Sequence, residues 1–563
     1  MAVRAVELKF VSKPSRTYRP RHLTPWYKRI NFNSEEVLRT CSPLPLRWFY
    51  AKQMHRGATM ATAFKKVSRT KQSKFARGLS GIAFSVLLAS CGGGDTPTSL
   101  SSPSSTPPPP APITYTSATL SKSYQIHTVS SSDVVPEYVY AGVTYQRGVA
   151  DIFPQGSISV DFQKDRFPEL IIPLNKAYGT PVFARLPYIY LSNANGKLEF
   201  RQAENDQFPS VFGARRSSIL TVNGSPSAFF VAHNVSGVYN DPSAYGTAVL
   251  AVGGASGAKV RADLIPRITS QSGLAANGTD AHAMATGDIN GDGKQDILIA
   301  NWLHREGFEP LFLVQNAEGS FTSRSSTFLD QLNSVPLLNP NQDPYRQNNL
   351  WLDAHIADLN GDGFGDIVAG FGHGSSYSYV FWNNKGDFSF DNKTPLPASV
   401  YGTENSLHME TRTTDIDKDG DLDLIISYSR YSPYYGGDYL QILRNDAGKF
   451  ADITSTAVKQ EDADVYAGRL EWSPSLYIKD LNRDGKDDIV FARLDGTLRI
   501  YINQQGSSFR KVTVSLPKSE GFGKLIGFDD FDGDGNFEAV YWQYGGTEDR
   551  KDYYVNLYKL TFA

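Results

Sequence analysis

Residues 288–296 read Asp-Ile-Asn-Gly-Asp-Gly-Lys-Gln-Asp, and the next four, Ile297–Ala300, are all apolar. Side-chain oxygens at alternate positions around a glycine describe a tight loop that gathers carboxylates and amides, followed by a short buried strand. The phrase returns four times, as DLNGDGFGD from Asp358, DIDKDGDLD from Asp415, DLNRDGKDD from Asp480 and DFDGDGNFE from Asp530, each time running into an apolar stretch (IVAG, LIIS, IVFA, AVYW). Successive starts lie 70, 57, 65 and 50 residues apart. Periods of this size mark an array of similar supersecondary units rather than unrelated domains.

Upstream, two degenerate copies extend the series, DFQKDRFPE from Asp161 and TVNGSPSAF from Thr221, at intervals of 60 and 67 residues. That makes seven units. Most units also carry a hairpin signature, an alternating strand ending in Asn, a short turn and Gly: IYLSNANGKL, FLVQNAEGSF, VFWNNKGDF, QILRNDAGKF and IYINQQGSSF. The pattern gives about four antiparallel strands per unit, with the acidic loop joining the first two. Seven all-strand units of this size are expected to close into a seven-bladed β-propeller, an all-β fold. After Asp530 the chain has room for two more strands and ends without the Asn-turn-Gly signature. A blade short of its outer strand exposes an edge. One of two alternating stretches nearer the N-terminus, 115–129 or 137–145, is therefore expected to complete it.

The pairing of DxNGDGxxD plus strand with NxxGxF, over roughly residues 150–563, resembles the FG-GAP and VCBS repeats of integrin-like propellers. Oxygen-only donors and a turning glycine suit calcium, which takes six to eight oxygens, better than the smaller magnesium. The expected side-chain ligands are Asp288, Asn290, Asp292 and Asp296; Asp358, Asn360, Asp362 and Asp366; Asp415, Asp417, Asp419 and Asp423; Asp480, Asn482, Asp484 and Asp488; and Asp530, Asp532, Asp534 and Glu538. About five structural calcium ions follow. An EF-hand would need Glu at the twelfth position and a helix beyond it, but Ile299, Ala369, Ile426, Phe491 and Tyr541 stand there inside strand-like runs. Zinc has no Cys or His in these loops to bind. In the Asp161 copy, Arg166 replaces the turning glycine and brings a positive charge, which argues against calcium. The Thr221 copy has lost its carboxylates and should form without it.

Ahead of the repeats lies a segment with the layout of an address. Six Lys and Arg between residues 65 and 77 precede an apolar run to Ser90, then Cys91. The thirteen residues of this stretch, 78–90, suit a signal-peptide core and are too few to span a bilayer. Leu88–Cys91 resembles a bacterial lipobox, which implies cleavage before Cys91 and lipidation of its thiol; Gly92 resembles the sorting position of outer-membrane lipoproteins. Residues 60–90 are thus expected to be a lipoprotein signal peptide. Translation is expected to start at Met60 or Met54, which makes residues 1–59 a non-native or disordered extension. Residues 91–114, rich in Gly, Ser and Pro, read as a tether, and residues 115–563 as the propeller.

Residues 1–90 hold 18 Lys and Arg against 3 Asp and Glu; without them, 38 basic and 55 acidic residues remain, a net of about −17 at neutral pH. Nucleic acid is therefore not an expected partner. Cys41 and Cys91 are the only cysteines, so no disulfide framework is available. No nucleophile elbow, zinc-protease helix or phosphate loop appears. His282, His355 and His408 fall just upstream of acidic loops, in expected inner strands, as hydrogen-bonded structural residues or as a ligand cluster at the channel mouth. The Tyr-rich stretch 429–439 and the polar stretch 329–351 are either recognition loops or packing between blades. The leading functional expectation is a non-enzymatic binding module for a glycan or an envelope or extracellular protein, lipid-anchored in a bacterial envelope. Alternatives are a carbohydrate-active enzyme (polysaccharide lyase or hydrolase) and a structural subunit of an envelope assembly.

Overall fold

The computed structural model describes residues 115–129, 137–140, 143–146, 152–176, 188–208, 214–232, 246–268, 278–279, 281–301, 310–332, 350–372, 377–432, 436–458, 475–493, 496–505, 508–517, 523–544 and 552–563. The readings of residues 1–59, the signal peptide, the tether and Cys91 lie outside these residues, as do Tyr434 and Tyr435.

Antiparallel sheets follow one another in chain order as the blades of a seven-bladed propeller. Blade 3 shows the plan: Ala281–Gly287 is innermost, then Asp296–Asn301, Leu311–Gln315 and Phe321–Arg324 outward. Blades 4, 5 and 6 begin with Leu350–Ala357, Ser406–Thr414 and Ser475–Lys479 and repeat it. Each acidic loop joins the first strand to the second, as expected, and its ninth residue opens the second strand. Gly287 pairs with Asp296, Ala357 with Asp366, Thr414 with Asp423, Lys479 with Asp488 and Asp529 with Glu538.

The second strands explain why their sequences are continuous apolar runs. Neighbouring blades pack face to face, so a second strand is buried on both sides. Ile297 and Ile299 enter the core shared with blade 2, while Leu298 and Ala300 enter the core shared with blade 4. Every pair of neighbours has such a cluster, including blade 1 with blade 7, where Leu170 and Ile172 meet Val540 and Trp542. Seven interfaces close the ring.

Blade 7 is completed by the N-terminus. Ala118–Val129 runs antiparallel to Tyr553–Phe562, from Ala118 opposite Phe562 to Val129 opposite Tyr553, and lies outermost. The stretch 115–129 thus fills the missing edge. The stretch 137–145 instead forms a separate hairpin, Glu137–Tyr140 with Val143–Gln146. Blade 2 departs from the expected nine-residue loop: Val222 pairs with Ser225 across a two-residue Asn223–Gly224 turn, both residues at positive φ (47° and 75°). Pro226 lies in the second strand, so the loop there has been lost with its carboxylates.

Blade 1's inner strand is broken into Ile152–Pro154 and Ile158–Val160, both paired to Glu169–Lys176, with Gly156 at φ 62° between them. The inner strands of blades 3, 4 and 5 each shift register at one residue, His282, Leu352 and Met409. One side chain from blade 2 uses all three bulges. Arg216 Nε donates to the His282 carbonyl (3.1 Å), and its Nη2 donates to those of Leu352 (2.5 Å) and Met409 (2.7 Å). A single guanidinium thus ties the inner strands of four consecutive blades.

Candidate metal-binding loops and the central channel

Each acidic loop is first a chain of side-chain-capped turns. In blades 3 to 6 the carboxylate at the first position accepts N–H groups from the fifth and sixth, as in Asp358 with Asp362 (3.0 Å) and Gly363 (2.8 Å), or Asp480 with Asp484 (3.1 Å) and Gly485 (2.9 Å); in blade 7 Asp530 accepts from Gly535 (2.8 Å), while the Asp534 N–H goes to Asp532 (3.1 Å). The fifth-position carboxylate accepts the N–H of the seventh, in Asp292, Asp362, Asp419, Asp484 and Asp534 alike (2.7–3.0 Å). This path needs left-handed backbone at two places. The sixth position is the expected turning glycine, Gly293, Gly363, Gly420, Gly485 or Gly535, with φ between 78° and 101°. The fourth is left-handed too, at Gly291, Gly361, Lys418, Arg483 and Gly533. That second requirement explains the Asn-Gly-Asp-Gly spelling, and the sequence reading missed it.

The ninth residue works differently. Asp296, Asp366, Asp423 and Asp488 are fully buried. One oxygen of each accepts the N–H of the loop's second residue, and the other accepts an N–H from the third strand, as in Asp366 with Leu359 (3.0 Å) and Asn383 (2.8 Å). Burial pushes their carboxyl pKa values up to about 6, 7, 6 and 7, because two backbone donors offset only part of the lost hydration.

The third-strand partner is the Asn of the hairpin signature, read from sequence only as a turn residue. Asn383 Nδ2 donates to the Gly365 carbonyl of its own loop (2.9 Å) and to the Ile289 carbonyl of the loop before it (2.8 Å). Asn445 links to Leu422 and Leu359 in the same way, and Asn193 to Pro168 and, across the ring closure, Phe531. In blade 3 the motif's Asn316 caps its own turn, and Gln315 carries the link to Thr221 and Gln295. The residue is an inter-blade clip. In blade 7, which lacks the signature, Leu560 donates its own N–H to the Phe537 carbonyl (3.1 Å).

Two of the five loops gather three carboxylates with oxygens within 4.8 Å of one another: Asp415, Asp417 and Asp423 in blade 5, and Asp530, Asp532 and Glu538 in blade 7. Asp419 and Asp534 belong to the same loops. In these clusters one oxygen each of Asp417, Asp530 and Glu538 is buried without a hydrogen-bond donor. Burial and the neighbouring Asp532 carboxylate push Glu538 up to about 8. Blade 1 has a matching Glu169, but Gln163 donates its amide to the corresponding oxygen (2.8 Å), so that loop is satisfied from within. Arg166 sits there at φ 76°. In blades 3, 4 and 6, Asn290, Asn360 and Asn482 replace the third carboxylate, and their oxygens accept the fifth-position N–H (2.9–3.0 Å). Lysines stand at the rims: Lys294 on Asp292, Lys486 on Asp484, and Lys559 on Asp532 and Asp534. Converging carboxylate oxygens without donors are a donor set for a hard cation.

All three histidines lie in inner strands, and His355 and His408 are hydrogen-bonded to hydroxyls. His355 Nε2 meets Thr413 Oγ1 (3.0 Å); His408 meets Ser378 (2.9 Å) and Thr411 (2.6 Å). Burial pushes both down to about 3, so they are neutral. Tyr439 is buried edge-to-face with Tyr401 at 5.9 Å in the core between blades 4 and 5, a packing role. From the 329–351 stretch, Leu329, Leu332 and Trp351 are buried between blades 3 and 4. The channel keeps a cavity of about 100 Å³ beside blades 1, 2, 5, 6 and 7, lined by Arg216, Glu410, Arg412 and Lys524 among others. No sequence signal marked Arg216 or this cavity.

A family profile described as FG-GAP-like repeat matches residues 358–426 and 480–541, and one described as FG-GAP repeat matches residues 281–301. The chain is thus a seven-bladed propeller that carries FG-GAP repeats. A comparison with curated protein sequences yields no match. Among solved structures, it is similar to BBS1N in complex with ARL6DN (9% identity, TM-score 0.37, covering 73% of this chain and 96% of that one). It is also similar to the rhamnogalacturonan lyase PL11 of Bacillus licheniformis (13% identity, TM-score 0.35, covering 77% and 75%).

Proposed function

We propose that this chain is a calcium-stabilised propeller acting as a non-enzymatic binding module for a glycan or an extracellular protein, held at a bacterial outer membrane by lipid on Cys91. The observation that carries the calcium reading is the contrast between blades 7 and 1. Both place a buried Glu at the ninth position, but Gln163 satisfies Glu169, whereas Asp532 leaves Glu538 and Asp530 each with a buried oxygen lacking a donor. A dication at that point would complete both. Asp530, Asp532, Asp534 and Glu538 would hold it in blade 7, and Asp415, Asp417, Asp419 and Asp423 in blade 5. The three Asn-containing loops offer weaker versions of the same cage. When bound, calcium supplies charge neutralisation inside the blade; the loops themselves supply position and rigidity.

A binding role suits a scaffold in which His355 and His408 are neutral and locked by hydroxyl partners. The test uses the purified full-length chain on a glycan array and against envelope extracts, with calcium or with chelator. Saturable capture without product formation, together with a melting temperature that rises with calcium, is the expected result. A melting temperature indifferent to calcium and chelator overturns the metal reading, and turnover of a bound polysaccharide overturns the non-enzymatic one.

A further inference from the structure

We propose that the central channel holds a binding site for a small oxyanion, the carboxylate, sulfate or phosphate group of a ligand, between Arg216, Arg412 and Lys524. This inference rests on the binding-module reading and gives its ligand a chemistry.

The site exists because of two local departures from the propeller plan. Blade 1's inner strand leaves its ladder at Gln155–Ser157, turning at Gly156, and opens space beside blades 5, 6 and 7. Arg216 reaches toward blades 3, 4 and 5 and fills that side of the channel. What remains is about 100 Å³, room for several waters at about 10–15 Å³ each. That admits an anionic group of a ligand.

The lining carries three cationic side chains and one carboxylate, Glu410. Arg216 directs three hydrogen bonds to neutral carbonyls, and its nearest carboxylate, Asp353, is 3.8 Å away. Glu410 is committed on both sides, accepting from the Leu476 N–H (3.0 Å) and pairing with Arg412. The Arg412 side chain keeps 44% of its surface exposed, and Lys524 is anchored by donation to the Pro154 carbonyl (2.9 Å). Three cations against Glu410 and Asp353 leave an excess of one positive charge, a local reversal of sign in a chain that carries about −17 over residues 91–563. Low-dielectric walls focus such a field on an incoming anion. Apart from the blade 1 turn, the walls are paired strands, so little ordering is left there for binding to accomplish.

The experiment is isothermal titration of the full chain in calcium with glucuronate, inorganic sulfate, inorganic phosphate and neutral glucose. At least one of the three anions is expected to bind saturably, and glucose is not. Lys524→Gln and Arg412→Gln should each weaken that binding by about ten-fold or more, the size of one lost charge-assisted hydrogen bond, with an unchanged melting temperature. Which anion binds names the group. No binding by any of the three, or binding that both substitutions leave within about two-fold, overturns the proposal. Either result leaves the calcium response and the array result intact, so failure of this site is distinguishable from failure of the binding-module reading.

Discussion

Asn383→Ala tests whether the hairpin asparagine is an inter-blade clip or a turn residue. Asn383 is 4% exposed. Its amide donates to Ile289 and Gly365 carbonyls at 2.8 and 2.9 Å, and its oxygen accepts the Gly386 N–H at 2.7 Å. Truncation deletes all three bonds but spares the main-chain donation to Asp366. A buried group left without a partner costs about 1–3 kcal/mol. Two carbonyls and one N–H are stranded, and water reaching one of them would bring the loss to about 3 kcal/mol. If the residue served only its turn, the loss would resemble that of an ordinary surface substitution, within about 0.5 kcal/mol. Asn384→Ala, next door in the same turn and exposed, supplies that baseline.

The assay must suit the size of the protein. Unfolding entropy near 2.1 cal/mol/K per residue makes about 1 kcal/mol/K for a unit spanning Ser105–Ala563, so a loss of about 3 kcal/mol moves the melting temperature by only about 3 °C. Urea unfolding at saturating calcium, read as the midpoint shift at constant slope, resolves it better. A loss for Asn383→Ala below about 1 kcal/mol, or equal to that of Asn384→Ala, would refute the clip.

Three further outcomes follow from the loops. In the chelated protein, Glu538 at about 8 and Asp366, Asp488 and Glu169 at about 7 lie above the ordinary carboxylate range. Their folded pKa values are raised, so stability is present at low pH and lost as pH rises through them. Thermal unfolding in chelator should therefore show more stability at pH 6.5 than at pH 8, with a smaller gain from calcium at the lower pH; the reverse order would contradict it. That window stays at or above the unfolded histidine pKa of about 6.5, so buried His355 and His408 contribute little. Terbium or calcium titration should resolve two tighter sites, lost singly in Asp417→Asn and Glu538→Gln, from three weaker ones; five equivalent sites would refute the ranking by carboxylate count. Arg166→Gly should raise stability by about 1 kcal/mol, read as an upward shift of the urea midpoint, because an L-residue at φ 76° is strained and glycine is not. A fall would mean that its contact with the Phe167 ring, at 5.0 Å, outweighs the strain.

The fold was legible because its signals are periodic. A loop that must enter a doubly buried strand writes an apolar run after its ninth residue, and seven repetitions fix the blade count. Closure was legible from what the final unit lacks, although two stretches competed and only 115–129 alternates over enough length to cover Tyr553–Phe562. The Thr221 unit was misjudged in detail: Asn223–Gly224 is a two-residue hairpin turn in its own right, and aligning it to the longer phrase concealed that. Arg216 left no trace because its partners are main-chain carbonyls, which no side-chain pattern encodes. The channel cavity was hidden for a similar reason, being made by a strand break rather than by a motif.

The acidic phrase itself has two separable jobs. Asp or Asn at the first, third and fifth positions caps successive turns, and the ninth carboxylate ties loop to sheet; neither job needs a metal. A degenerate copy can therefore answer its ninth carboxylate from within, as blade 1 does by setting Gln163 against Glu169. On the proposed calcium reading, a metal is called for where capping leaves carboxylate oxygens buried and unanswered, at Asp417, Asp530 and Glu538. Motif strength and metal demand are then different quantities. DINGDGKQD, a full match to the phrase, is nearly satisfied by its own N–H groups, Gln315 and Lys294. The glycine-poorer DIDKDGDLD of blade 5 is the one that leaves an oxygen unanswered, at Asp417. Ranking the five loops by unanswered oxygens rather than by match to the phrase puts blades 5 and 7 first. Blade 7 is also where the N-terminal strand closes the ring, so cation binding there would strengthen the blade on which closure depends.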